Sequence, residues 1–254
     1  MPRISICLVP LMLLLVLAAC EPSALPPPSA GPVAGSTDAS QIYGARQDNG
    51  FAVAAVPIDR IPAEFRRQVI AYDGDEPANT IIINPAAKHL TLVLGPDRAL
   101  RYGIAVGRAG FLWSGEAEIT GRKTWPNWTP PPEMIARRPE LEQWRQGQPG
   151  GPTNPLGARA LYLTTNGVDY GYRIHGTPEW ETIGQNASSG CIRMLNQDVI
   201  DLYERVPDGT RVIVLTADGR MPDRLSIPKV QHPRPPVPPA PPPILIADGS
   251  PGPQ

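Results

Sequence analysis

Apolar and polar residues follow strand-like patterns in two neighbouring stretches of the first half of the chain. Residues 80–83 are a β-branched run, and residues 90–94 alternate before a Gly-Pro-Asp turn at 95–97. These patterns predict β-strands, and a third strand is expected over 99–106. Because turns rather than long helices join them, we predict a mostly β domain with antiparallel sheets packed as a sandwich or barrel.

The second half of the chain resumes the same pattern. Residues 156–163 and 170–175 are strand-like and flank an Asn-Gly turn, and residues 210–215 form another apolar run. Between them, Asn196 is expected to cap a short helix over 197–205, with its apolar residues on one face. Alternation along 170–175 places Ile174 in the core and His175 towards an open cleft.

A proline-rich insertion interrupts the strands between residues 120 and 157. Trp125 and Trp128 lie in a run with too many prolines for a sheet interior, and residues 133–146 predict a short helix. We interpret this insertion as a lid. Its tryptophans either contact substrate or cover the edge of the sheet, and both alternatives stay open.

Both ends of the chain differ from the body. Arg3, an apolar run and a Leu-Ala-Ala-Cys sequence ending at Cys20 predict a signal peptide over 1–19. The sequence resembles a bacterial lipobox, which implies a lipid on Cys20 and a membrane-anchored lipoprotein facing the periplasm; plain secretion is the alternative.

Composition also sets the predicted domain boundaries. A flexible tether is expected over 20–76, apart from one or two helical turns near 65–70, and a proline-rich disordered tail over 216–254. The folded domain is therefore predicted over 77–215.

The charge balance excludes some functions. With 23 Lys and Arg against 24 Asp and Glu, the net charge is −1, which gives no electrostatic basis for nucleic-acid binding. The sequence has neither a cluster of metal-ligand residues nor a phosphate-binding glycine loop, so we expect no metal and no cofactor.

One cysteine carries the candidate chemistry. Cys7 and Cys20 lie in the apolar N-terminal segment, which leaves Cys191 as the thiol of the folded body. His175 lies sixteen positions upstream, far enough for two strands to run out and back and bring the imidazole beside the thiol. A thiol with a nearby imidazole suits nucleophilic acyl transfer. The alternative is that Cys191 is a small buried apolar residue.

The residues around both groups resemble a known motif. His175-Gly176 and Ser-Ser-Gly-Cys-Ile-Arg at 188–193 resemble the L,D-transpeptidases with the YkuD catalytic domain, over about residues 79–215. Ser189 departs from the pattern, since the family has a second histidine there. The resemblance implies an L,D-transpeptidase β-sandwich with a short helix after the cysteine.

The resemblance also implies a reaction on peptidoglycan stem peptides. Cys191 would attack a tetrapeptide stem, release D-alanine and form a thioester that an amine resolves, giving 3-3 cross-links or protein attachment. His175 would move the proton and the Gly176 carbonyl would orient the imidazole. The amides around Gly190 and Cys191 are the candidate donors to the oxyanion, since glycine admits close approach.

Three further residues are candidate substrate contacts: Arg193, Ser188 and Ser189. Arg193 suits a stem carboxylate, or alternatively a salt bridge to Asp198 that shapes the loop. Two other functions stay open at this point. One is hydrolysis of stems through the same thioester, and the other is a non-catalytic lipoprotein that binds peptidoglycan.

Overall fold

The computed structural model describes residues 39–108 and 112–228, which lie within one compact unit. Three α-helices occur in these ranges, at Ala39–Ile42 (α1), Pro132–Arg137 (α2) and Asn196–Arg205 (α3). Short 3-10 helices cover Ile58–Arg60, Ala63–Phe65, Pro139–Trp144 and Trp180–Thr182. None of the helices in the described ranges is long and apolar enough to cross a membrane.

The strands carry most of the regular structure. They are β1 Arg46–Asp48, β2 Phe51–Val53, β3 Gln68–Ala71, β4 Ile81–Asn84, β5 His89–Gly95, β6 Arg98–Gly107, β7 Gly115–Thr124, β8 Arg159–Thr164, β9 Arg173–Thr177, β10 Asn186–Ser188, β11 Ile192–Leu195 and β12 Arg211–Val214. The prediction of a mostly β domain is confirmed.

The main sheet closes on itself. Its neighbours run in the order β6, β11, β9, β8, β7, β12, β4, β5, and β5 pairs with β6 again. Strands β3 and β10 pair with different parts of the long β6. Most pairs are antiparallel as predicted, but β9–β11, β4–β12 and β6–β10 are parallel. The mixed sheet is therefore a closed barrel-like structure that leaves few free strand edges.

Alternating apolar side chains from these strands fill the core. Those with no exposed surface include Ile81, Ile83, Leu90, Tyr102, Ile104, Ile119, Leu161, Ile174, Met194 and Val212. Burial of each Leu or Ile side chain stabilises the fold by about 1.5–3 kcal/mol. Helix α3 adds Val199 and Leu202 to this core, and Val206, which follows the helix, packs there too.

The predicted cap of α3 is wrong. Asn196 is already the first helical residue, and no side chain caps the preceding Leu195 position. Instead, the Asn196 Oδ1 atom accepts a hydrogen bond of 2.9 Å from the Ala158 N–H. The side chain therefore joins α3 to the start of β8 rather than closing the helix terminus.

The predicted tether is wrong for residues 39–76. These residues form α1, the β1–β2 hairpin, two 3-10 helices and β3. Residues 65–70 end one of those 3-10 helices and enter β3, where helical turns were expected. Tyr43 is only 1% exposed and Val53 only 2%, so burial orders a segment whose sequence lacks a periodic apolar pattern.

A buried ion pair attaches the β1–β2 hairpin to the domain. Asp48 accepts two hydrogen bonds from Arg159, of 2.7 and 2.8 Å, and a third of 2.7 Å from the Trp125 indole N–H. The Phe51 and Trp125 rings lie 4.8 Å apart. Trp125 is therefore mostly buried. This burial favours the alternative in which Trp125 covers the edge of the sheet, rather than the one in which it contacts substrate.

The rest of the insertion is held by polar contacts. Trp128 is half-buried and forms a short antiparallel bridge with Gln148. The fully buried Asn154 donates to the carbonyls of Pro126, Gln148 and Pro149. The single predicted helix is divided into α2 and the 3-10 helix at Pro139–Trp144. Proline at 139 explains this division, since it disfavours helical backbone at the residue before it.

The predicted tail begins too early. Ser226 exchanges two backbone hydrogen bonds with Ser114, of 3.1 and 2.8 Å. Leu225 and Ile227 pack against the core. Residues 216–228 therefore continue the folded domain. Residues 1–38 and 229–254, which include the predicted signal peptide and Cys20, lie outside the described residues.

We expect Asp48→Ala to lower the free energy of unfolding by about 3 kcal/mol, because it leaves the buried Arg159 charge without its partner. The hydrogen bonds from Arg159 hold the pKa of Asp48 below its usual value. The stabilisation is therefore present at neutral pH and is lost as the pH falls through that lowered pKa.

Urea denaturation followed by tryptophan fluorescence measures this loss. The matched control is Asp218→Ala, which removes an exposed partner of Arg220 and should change stability by less than about 0.5 kcal/mol. Equal losses in the two variants would contradict the role given to the hairpin contact.

Candidate active site

Neighbouring strands β9 and β11 carry the two candidate catalytic residues. In their parallel register, Ile192 lies opposite Ile174 and Arg193 lies opposite His175. Cys191 immediately precedes β11, so its backbone adjoins the start of β9. The strands do not run out and back as predicted. They are parallel, and residues 178–191 cross between them, as parallel pairing requires.

His175 is buried rather than directed into an open cleft, with only 4% of its surface exposed. Its Nδ1 atom lies 2.6 Å from the Gly176 carbonyl oxygen. Because a carbonyl only accepts hydrogen bonds, the neutral imidazole carries its proton on Nδ1. The Nε2 atom is then left with a lone pair that can accept a proton.

Close packing fixes the peptide that holds this imidazole. A Cβ atom on Gly176 would lie 2.3 Å from the Asn196 Oδ1 atom and 3.0 Å from the Val199 side chain. Gly157 packs against the same oxygen: a Cβ atom there would lie 2.2 Å from Asn196 Oδ1, and its φ is +61°. Glycine is therefore required at both positions, and α3 holds the Gly176 carbonyl in place.

Charge and burial keep the imidazole neutral. Burial lowers the pKa of His175 to about 4, and the positive charges of Arg193 and Arg173 act in the same direction. The hydrogen bond to the Gly176 carbonyl opposes this shift. At neutral pH His175 is thus an uncharged group, ready to act as a base.

Cys191 is a free cysteine, and the residue as a whole is partly exposed. Its Sγ atom lies 3.8 Å from the Gly171 carbonyl oxygen, to which it donates. Burial of the sulfur raises the pKa of the Cys191 thiol, and the charges of Arg173 and Arg193 only partly offset that effect. At neutral pH Cys191 is therefore a thiol and His175 a neutral imidazole.

The loop before the cysteine is held by Ser188. Its hydroxyl donates to the Cys191 carbonyl at 2.6 Å and accepts from the Gly190 N–H at 3.2 Å. The Gly190 amide, predicted as an oxyanion donor, is thus already bonded within the loop. Gly190 has a φ of +113°, which explains glycine there. Ser188 is buried, so its role is to shape the loop, whereas Ser189 is exposed.

Arg193 forms an ion pair, but not with the predicted alternative partner. Its Nη1 atom lies 2.8 Å from Glu179 Oε2, and the Glu179 side chain is 55% exposed. Asp198 instead interacts with Tyr43 and Arg67. The Arg193 Nε atom is buried without a hydrogen-bond partner among the described residues. Arg193 therefore keeps donor capacity for a bound anion.

Sequence reasoning missed a second cation, Arg173, whose positive charge acts on both His175 and Cys191. Arg173 shares a strand face with His175, and that alternation was the signal that could have found it. Its guanidinium binds both carboxylate oxygens of Asp169, at 2.7 and 2.8 Å. An aromatic pair was also missed: Tyr172 stacks on Trp113 with ring centroids 4.6 Å apart. The nearby Cys191 contributes to a raised Tyr172 pKa, after burial.

The described ranges contain no group of three or more His, Cys, Asp or Glu side chains able to hold a metal ion. Every role described above belongs to side chains and backbone atoms of the protein.

Comparison with known proteins identifies the family. Residues 78–214 match the family model of the L,D-transpeptidase catalytic domain, YkuD, and this chain belongs to that family. The resemblance of the sequence motif is thereby confirmed.

Two curated relatives illustrate the match. A putative L,D-transpeptidase of Fuscovulum blasticum, named for the ATP synthase subunits region, is 42% identical over 101 residues, which are 40% of this chain and 49% of that protein. Putative L,D-transpeptidase YqjB of Bacillus subtilis is 33% identical over 149 residues, 58% of this chain and 76% of that protein. The chain thus spans about half the length of the first relative.

A solved structure from Brucella melitensis, described as a probable carnitine operon oxidoreductase, is 46% identical. The match covers 63% of this chain and 99% of that one, with a TM-score of 0.43.

We expect nitrogen-15 NMR to show His175 as the neutral Nδ1–H tautomer at pH 7, with protonation only near pH 4, because burial opposes the charged form. The His175→Gln variant assigns the signal by its loss. An Nε2–H tautomer, or an imidazolium at pH 6, would contradict the geometry described here.

Proposed function

We propose that this chain is a peptidoglycan L,D-transpeptidase that acts through a Cys191 thioester. The observation that carries the proposal is the His175 imidazole, held by the Gly176 carbonyl on the strand beside the cysteine. Membership of the YkuD family supports the reaction class. The substrate would be a tetrapeptide stem, cleaved before its terminal D-alanine.

Both steps use the same proton acceptor. As the sulfur attacks the stem carbonyl, the thiol proton passes to His175 Nε2 and a C–S bond forms. The C–N bond to D-alanine then breaks, and His175 returns the proton to the leaving amine. In the second step the acceptor amine gives a proton to Nε2 and attacks the thioester, and the sulfur leaves and regains its proton.

One of the two predicted oxyanion donors, the Gly190 N–H, is already bonded within the loop. Since the Gly190 N–H is bonded to Ser188 Oγ, we assign the oxyanion contact to the Cys191 N–H. A donor of this kind contributes about 3 kcal/mol of transition-state stabilisation. The Ser188 contacts support this assignment because they fix the peptide that presents Cys191.

Arg193 is the proposed contact for a substrate carboxylate. Its carboxylate partner Glu179 is exposed and is bound through the Arg193 Nη1 atom. A bidentate pair with a stem carboxylate would replace that weaker contact. Ser189 is exposed beside the thiol and is proposed as a polar contact for the same substrate.

The acceptor decides between three outcomes of one thioester. An amine from a second stem gives a 3-3 cross-link, an amine from a protein gives attachment, and water gives hydrolysis. We also propose that the protein is exported and anchored through a lipid on Cys20. The lipobox-like sequence supports this location.

Transfer is tested by incubating the full-length protein with a purified disaccharide-tetrapeptide and following the products by mass spectrometry. We expect loss of D-alanine and formation of stem dimers. Cys191→Ala should reduce both by at least about 1000-fold, because no other group replaces the nucleophile. His175→Gln should reduce them by about 100-fold or more.

His89→Gln is the matched control, since His89 is also a strand histidine whose ring contacts a backbone carbonyl, that of Glu64. It should retain wild-type transfer. Loss of D-alanine without dimers would indicate hydrolysis in place of transfer. Transfer that survives Cys191→Ala would rule out the proposed nucleophile.

A further inference from the structure

Four residues form a row that crosses the sheet and ends at the thiol. Gly121 of β7 lies opposite Tyr162 of β8, and Tyr162 lies opposite Arg173 of β9. Cys191 completes the row, because extension of the β9–β11 register by one residue places it beside Arg173. Paired positions lie on the same face of a sheet. All four residues are partly exposed, so the row is an accessible path to the cysteine.

A lysine lies beside this row. Lys123 is two positions after Gly121 on β7, so the two residues share a face of the sheet. The Lys123 Nζ atom lies 5.3 Å from the centre of the Tyr162 ring, and the Arg173 guanidinium lies 4.4 Å from the same centre. The aromatic ring therefore holds the ammonium beside β8, the second strand of the row.

Lys123 differs from the two arginines of β9 and β11 in its lack of a carboxylate partner. Arg173 pairs with Asp169, and Arg193 pairs with Glu179. No ion pair in the described part of the chain includes Lys123, which is exposed. Lys123 is therefore a positioned cation that is available to an anionic ligand.

An open cavity gives a ligand room beside Lys123. Its volume is about 450 Å³, and Arg122, Asn127 and Tyr203 also line it. Arg122 is already bound to Asp208 and to two backbone carbonyls, so Lys123 supplies the available positive charge. A ligand that contacts Lys123 can thus extend past β7, as a stem peptide attached to a disaccharide requires.

The distance between the ammonium and the cysteine suits a short peptide. Neighbouring strands lie about 4.8 Å apart, so β8 and β11 are separated by about 10 Å across β9. Three residues of extended peptide cover about 10 Å. A tetrapeptide stem has three residues on the sugar side of its scissile bond. With the scissile carbonyl at Cys191, these residues follow Arg173 and Tyr162 and reach Lys123.

We propose that Lys123 is a specificity-determining residue that binds a second carboxylate of the donor stem, between the sugar and the scissile bond. This inference rests on the proposed function, since the stem is the substrate proposed there. The stem is then held at both ends of the row, by Arg193 beside the cysteine and by Lys123 beside Tyr162. A stem that lacks this second carboxylate is a weaker donor.

The first test measures the rate of thioester formation in the full-length protein against the concentration of a disaccharide-tetrapeptide. Lys123→Met removes the charge but keeps a flexible side chain over the Tyr162 ring. We expect it to raise the half-saturating donor concentration about tenfold, the loss of one charge-assisted contact. The rate at saturation should stay unchanged, because the contact is the same in the ground state and the transition state.

Two further variants separate charge from structure. Lys123→Arg keeps the positive charge and should retain the wild-type half-saturating concentration. Lys88→Met is the matched control, since Lys88 lies in the turn between β4 and β5 and donates to the Pro85 carbonyl. It should also behave as the wild-type protein does.

A change in the ligand tests the same contact from the other side. In an analogue of the disaccharide-tetrapeptide, the carboxylate between the sugar and the scissile bond is converted to an amide. The analogue should need about tenfold more donor with the wild-type protein, but no further increase with Lys123→Met, because the interacting pair is already lost. Multiplied effects would show that the two groups do not interact.

Chemical modification needs neither turnover nor a substituted lysine. The chain has three lysines, at 88, 123 and 229, so mass spectrometry resolves the acetylation of each one. In full-length Cys191→Ala, which cannot form the thioester, the disaccharide-tetrapeptide should slow acetylation of Lys123 several-fold and leave that of Lys88 unchanged.

Three results would overturn the inference: a wild-type half-saturating concentration in folded Lys123→Met, multiplied effects of variant and analogue, or acetylation of Lys123 that no stem concentration slows. If Lys123 contacts the acceptor instead, thioester formation is unchanged and only dimer formation shifts, which also overturns it. Absence of a thioester in the wild-type protein would count against the proposed function, and the acetylation rates would still decide whether a stem binds at Lys123.

Discussion

The hydrogen bond between His175 Nδ1 and the Gly176 carbonyl is the contact on which the site depends. It places the imidazole proton on Nδ1 and leaves the Nε2 lone pair able to accept a proton. The carbonyl is fixed because Gly176 packs directly against Asn196. Asn196 in turn bonds to the Ala158 N–H, so the position of α3 determines the orientation of the imidazole.

The N-terminal segment extends this dependence beyond the catalytic strands. Gln197 Nε2 donates to the Ala54 carbonyl at 2.8 Å. Tyr43 donates to the fully buried Asp198, whose pKa burial raises to about 7, and Arg67 lies 3.7 Å from the same carboxyl. Residues 39–76 therefore hold the first turn of α3 in place. Because α3 packs against Gly176, they also support the position of the His175 imidazole.

The sequence predicted those features of the fold that depend on the local pattern of apolar, polar and turn residues. The strands of the domain and the short helix after the cysteine follow from alternation and turn residues, and the motif spacing predicts the pairing of His175 with Cys191. Contacts between distant residues were not predictable in this way. Asp48 and Arg159 are 111 positions apart, and the burial of residues 39–76 depends on distant partners such as these. The partner of Arg193 and the occupied Gly190 amide depend on loop conformation, which short motifs do not specify.

The central claim is that a neutral thiol and a neutral imidazole form a thioester at Cys191. The most direct measurement is intact-mass spectrometry of the full-length protein mixed with a disaccharide-tetrapeptide and quenched in acid at successive times. At an early time point we expect an adduct on the peptide that contains Cys191, with the mass of the donor less D-alanine. An adduct on another residue, or D-alanine release with no adduct at any time, would contradict it.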